Sequence, residues 1–244
     1  MELSDSASTT LTSTATTPGL ARNLMEVSVA SAIFSLHNST LCVLAIRPSV
    51  RTAWTLPRYN FQSGMGLADA ATLAIKQIAN LPVHEFFQVG AVSAPDAAAS
   101  TIEVGFLAAT WAPSNVVSLT EEAFKMGVEA KWLPIADVAL MVPSAKELVE
   151  TAAHELRRRT RFDRIIFSLL PSEFSLSELQ KAFEVVIGRN IDVRNFRKKM
   201  EAMKILEESA HKPRGMAHRP PRLFSFSPKL YSHLLQRDPE VRFF

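Results

Sequence analysis

The hydrophobic period switches once along this chain, and that switch limits the fold more than any other feature. Between Val27 and Leu133 the apolar residues form short runs of strand type. Val27 to Phe34 and Leu41 to Ile46 read as a strand pair, with the turn residues His37-Asn38-Ser39 between them. Gly66 to Leu81 is the one helical interruption, with Leu67, Ala71, Ala74, Ile75 and Ile78 at helical spacing. Further strands are predicted near 87–93 and 102–111, with a short one near 131–133. Strands around a single helix, over roughly 120 residues, imply an α+β sandwich.

Past residue 143 the period is helical. Ser144 to Phe162 reads as a helix, with Ser144 and Glu147 as a capping pair and Arg157-Arg158-Arg159 at the basic end. Asp163 to Pro171 is a shorter apolar segment. Ser175 and Glu178 form a second capping box, opening a helix that stops near Gly188. Asp192 caps a third helix through about Ile205, and Arg222 to Phe226 alternates like a strand. Two helices joined by a short turn and followed by a basic hairpin predict a winged helix-turn-helix.

The third helix has two predicted faces. Val193, Phe196, Met200 and Met203 share one stripe that points to a core. Arg194, Asn195, Arg197, Lys198 and Glu201 are left for the other, and Lys199 extends the basic run. Arginine pairs bidentately with guanine and asparagine with adenine, while lysine serves phosphates. Lys212, Arg214, Arg219 and Arg222 lie on the predicted wing. A solvated amphipathic helix shows much the same charge pattern, so the weight rests on the order of elements.

Charge divides at the same boundary. Residues 1–150 hold 8 Lys+Arg and 13 Asp+Glu, a net of −5, while residues 151–244 hold 19 and 11, a net of +8. A basic module of this size meets nucleic acid or presents a solvated basic face. The single cysteine, Cys42, excludes an internal disulfide and any CxxC metal site, and reads as a small buried hydrophobe. No apolar run is long enough to span a bilayer, and no signal or transit peptide is recognisable, so a cytoplasmic protein is expected. Residues 1–19, Ser/Thr-rich and ending in Pro18-Gly19, cannot repay their ordering entropy.

Trp54-Thr55-Leu56-Pro57, followed by a helix, resembles the Nudix family, in which Trp-x-Leu-Pro-Gly-Gly precedes a box of metal-binding carboxylates. In that register Arg58-Tyr59 stands for the Gly-Gly pair. The first glutamate of the box is Met65, the Arg-Glu pair is Leu73-Ala74, the Glu-Glu pair is Gln77-Ile78 and the late glycine is Asn80. A hard divalent cation needs oxygen ligands, and this set offers one neutral oxygen. No catalytic residue, metal or cofactor is therefore expected. Glu121 and Glu122, read as loop residues, are the remaining acidic candidates for a residual nucleoside-diphosphate hydrolase.

Residues 24–230 resemble the NrtR-type regulators, which join a Nudix-like domain to a winged helix. The resemblance rests on Phe167-Ser168-Leu169-Leu170-Pro171, on Phe174 to Gln180 with Phe183-Glu184, on Asn190 to Lys199, and on Arg219-Pro220-Pro221-Arg222-Leu223-Phe224. It implies a Nudix-like α/β/α sandwich at 24–142, a linker helix at 143–162 and a winged helix at 163–244, with 1–23 as a disordered tail. It also implies a homodimer on a pseudo-palindromic DNA operator, acting as a repressor. The effector implied is ADP-ribose, another NAD-related nucleotide, or a sugar-derived ligand. Arg47, Arg51, Trp54 and Arg58 are the expected effector-binding residues, although three solvated arginines would fit the same pattern. A non-catalytic scaffold using its basic module on RNA is a third reading.

Overall fold

Strands β1 (Glu26–His37) and β2 (Thr40–Arg47) form the expected antiparallel hairpin. Asn38 and Ser39 turn the chain with φ of 49° and 60°, left-handed values that two-residue hairpin loops require. The computed structural model describes residues 25–48, 52–94, 101–209 and 222–244. The predicted N-terminal tail, Arg51, Lys212, Arg214 and Arg219 lie outside the described residues.

The first sheet adds β3 (Arg58–Asn60), β4 (Phe87–Ala94), β5 (Thr101–Ala109) and β6 (Glu129–Pro134). Its order is β4-β5-β1-β2-β6, with β3 paired to β1. The β1–β5 pair is parallel, and the other pairings are antiparallel. Helix α1 (Leu67–Lys76) covers one face, where Ala70 and Ala71 meet Val29, Val104 and Phe106.

Helix α1 is shorter than the sequence predicts. Thr120 accounts for the difference. Its hydroxyl donates to the Gln77 carbonyl at 2.7 Å and its N–H to the Ile78 carbonyl at 2.9 Å. These carbonyls are thus committed to a cross-chain contact instead of another helical turn. The same threonine caps α2 (Glu121–Lys125), so Glu121 and Glu122 lie in a short helix and not in a loop.

The opposite face is covered by α3 (Pro143–Arg159). Ser144 is not its cap: Val142 holds that place, and Pro143 supplies the first helical residue, where its missing N–H costs nothing. The helix packs across β4, β5 and β1, so it completes the sandwich as well as joining two units. Gly105 permits this close approach, because a Cβ there would stand 2.5 Å from Leu148 Cδ2.

A 3-10 segment, Arg164–Leu169, leads into the second unit and buries Ile165, Ile166, Phe167 and Leu169. There β7 (Phe174–Ser175), α4 (Leu176–Ile187), α5 (Val193–Met203), β8 (Leu206–Glu208) and β9 (Leu223–Phe226) follow in turn. The small sheet has the order β7-β9-β8. A last helix, α6 (Pro228–Arg237), follows where the sequence pattern predicts no element. One apolar cluster runs from Ala30 and Leu107 in the large sheet through Leu148 and Ile166 to Phe196 and Phe243.

Candidate functional site

The order of helix, turn, helix and hairpin in the second unit is built by local signals. Ser175 caps α4: its hydroxyl accepts from the Glu178 N–H at 3.2 Å, while the Glu178 carboxylate accepts from the Ser175 N–H at 2.7 Å. Gly188 closes α4 with φ of 78°, a left-handed conformation that suits glycine. Asp192 opens α5 by accepting from the Asn195 N–H at 2.8 Å.

Between the helices, two residues without a predicted role fix the turn. Gln180 donates to the Ile191 carbonyl at 2.9 Å and to Glu184 Oε1 at 3.2 Å. The same Glu184 oxygen accepts from the Ile191 N–H at 3.0 Å. That backbone N–H, with Gln180 beside it, holds the Glu184 carboxyl below its ordinary range despite some desolvation. Gln180 and Glu184 are both in the stretch that carries the family resemblance, and their place there is the signal that could have marked them.

Helix α5 is anchored from within by Phe196, Met200 and Met203. Val193 departs from the expected stripe and is 50% exposed, because the first helical residue has no preceding turn to pack beneath it. Arg194, Asn195, Arg197, Lys198 and Glu201 are all exposed. At 3.6 residues per turn they occupy the arc opposite Phe196. Lys199 is the exception. It is half-buried on the flank, with Nζ 5.1 Å from the centroid of the Phe244 ring, so its charge is engaged with an aromatic face.

Arg222 precedes β9, exposed, with Nε 3.7 Å from Glu208. Arg197 and Arg222 together line a concavity of about 280 Å³ with Ser175, Ser177 and Glu201. The arrangement presents one helix beside a pair of antiparallel strands, with cations on both. Such a surface can place a helix in a major groove and rest a wing on the backbone.

In the first unit Trp54 is buried, and both the Arg47 guanidinium and the Lys131 ammonium lie 4.4 Å from its ring centroid. Arg47 also binds Glu129 Oε2 at 2.6 Å. Arg58 turns inward: its guanidinium lies 3.0 Å from Glu103, whose side chain is 0% exposed, and also bonds Thr55 Oγ1. Neither Glu103 nor Glu129 has a predicted role, and they pair with Arg58 and Arg47, two of the arginines expected to hold an effector. Of the residues that the Nudix resemblance sets at the charged positions of the box, Ala74 and Ile78 are buried, Gln77 is exposed and Met65 is half-buried.

Comparison with known proteins agrees with this geometry. Residues 166–226 match the family model for the NrtR DNA-binding winged helix domain. The chain is 31% identical over 81 residues to an ADPR responsive transcriptional repressor NtrR from Acinetobacter baylyi. That match spans 33% of this chain and 32% of the relative, so the chain covers about a third of that protein's length. The structure of NrtR from Shewanella oneidensis complexed with a 27mer DNA superposes with a TM-score of 0.68 at 22% identity, covering 84% of this chain and 95% of that one. A MutT/nudix family protein from Enterococcus faecalis gives 0.59 at 17% identity, covering 83% and 86%. The fold is thus a Nudix-like domain followed by a winged helix. No helix among the described residues is long and apolar enough to cross a membrane.

Proposed function

We propose that this chain is an NrtR-type, DNA-binding transcriptional regulator, a repressor whose Nudix-like domain senses a small phosphorylated or sugar-derived effector without hydrolysing it. The observation that carries the reading is the outward face of α5, where Arg194, Asn195, Arg197 and Lys198 stand exposed on a helix whose inner stripe is locked by Phe196, Met200 and Met203. The protein acts as a homodimer, since two such helices are needed to read a pseudo-palindromic site in successive turns of duplex.

The sensing role without catalysis follows from the metal chemistry. Met65, Ala74 and Ile78 supply no carboxylate, and Mg²⁺ is held through carboxylates and phosphates. Glu121 is paired to Lys125 at 2.6 Å, on a helix apart from α1.

Selection of bound sequences from a random duplex pool tests the reading. Arg197→Ala is expected to lose about 1–3 kcal/mol of discrimination at one base pair, as removal of a bidentate contact does. Lys198→Ala is expected to weaken all sequences about equally. Identical base preferences in the wild type and Arg197→Ala would reject the assignment of α5 as the reading helix.

A further inference from the structure

A cleft of about 700 Å³ separates the Nudix-like domain from the winged helix. One wall is the segment after α1, with Pro82, His84 and Glu85, together with Trp111 beyond β5. The other wall is Arg164, Phe167 and the chain around Pro171, with Phe226 and Pro228. Phe167 and Phe226 stack there with centroids 4.2 Å apart and ring planes 16° from parallel. The volume is that of a small-molecule site, and the lining, mostly apolar with a few charged groups, has the usual composition of one.

Two features give the cleft a chemistry. Trp111 is 40% exposed, which leaves a large flat apolar surface on the wall. Arg164 and Glu85 form an ion pair that joins the two walls. The pair is half-buried, so its charges are only partly screened, and a stronger or better-placed anion can take Glu85's place on Arg164.

We propose that this cleft is an effector site for a flat aromatic anion, whose ring lies on Trp111 and whose phosphate or carboxylate replaces Glu85 on Arg164. The inference rests on the regulator reading above and gives the sensing function a place, at the domain junction. Arg164 begins the 3-10 segment whose Ile165, Ile166, Phe167 and Leu169 are buried in the shared core. Exchange of its partner therefore acts where the winged helix is attached, and a ligand that favours one attachment geometry shifts the spacing of the two reading helices.

Calorimetry on the full chain tests the proposal, with AMP and indole-3-acetate as probes and inorganic phosphate as the ring-free control. At least one aromatic probe is expected to bind, and phosphate at least tenfold more weakly. AMP alone would identify a phosphate ligand, and indole-3-acetate alone a carboxylate. Trp111→Ala and Arg164→Gln should each weaken binding at least tenfold. Glu85→Gln should strengthen it several-fold, because the internal competitor is gone. A purely structural ion pair would make Arg164→Gln and Glu85→Gln change binding in the same direction, and that result overturns the proposal. So does failure of both probes to bind, or a loss confined to Arg47→Ala, which would move the site to the Nudix-like groove. Duplex binding measured on the same preparations separates the two readings. If DNA binds and neither probe does, only the cleft assignment fails; if the probes bind and DNA does not, the regulator reading fails.

Discussion

Arg58→Ala should destabilise the protein by about 3 kcal/mol or slightly more, within the range of about 3–5 kcal/mol for breaking a buried ion pair. The cause is the carboxylate left behind. Glu103 is fully buried on β5, and its charged partner is Arg58 at 3.0 Å, with the Ser28 hydroxyl more distant at 3.5 Å. The lower end of the range applies because Arg58 is itself 31% exposed, so water can reach part of the site. Replacing Arg58 and Glu103 together by leucine and methionine should cost much less, since no unpaired charge remains. Chemical denaturation of the single and double variants checks this. Equal loss in both would mean that packing, and not charge, governs the site. In the register of the Nudix resemblance Arg58 stands for a glycine, and its side chain pairs with a buried acid.

Phe243→Ala should cost about 3–5 kcal/mol, as removal of a buried phenyl group from a packed core does. The ring is 0% exposed, with centroids 5.7 Å from Phe183, 6.0 Å from Phe167 and 6.3 Å from Tyr231. Its N–H donates to the Arg161 carbonyl at 2.5 Å, joining this segment to the chain just past α3. The neighbouring Phe244 stacks on Phe196 of α5, with ring planes 7° from parallel. The loss should therefore reach DNA binding as well, with affinity falling as the winged helix melts. A thermal melt of Phe243→Ala matching that of the wild type would show that this segment does not support the reading helix.

Local signals were legible in the sequence and long-range ones were not. The caps at Ser175 and Asp192 and the stop at Gly188 each depend on a few adjacent residues, and each is where patterning puts it. Ser144 looked like an equally good cap but Pro143 and the contacts of Val142 start the helix earlier. Helix α1 ends early because Thr120, distant in sequence, takes its carbonyls. Arg47 and Arg58 read as free cations because their partners, Glu129 and Glu103, lie on other strands. The exposed arc of α5 was legible because a buried stripe at helical spacing fixes the opposite face, Val193 and Lys199 excepted.

Engagement of duplex DNA by the α5 surface and its hairpin, through base edges and phosphates, would make affinity steeply salt-dependent, and a salt series of duplex-binding measurements reads this out. With about six phosphates neutralised, log K should fall against log salt with a slope of about −5, and a specific site should remain preferred throughout. No duplex binding at low salt, or tighter binding to single-stranded RNA than to duplex, would rule out α5 as a duplex-reading helix.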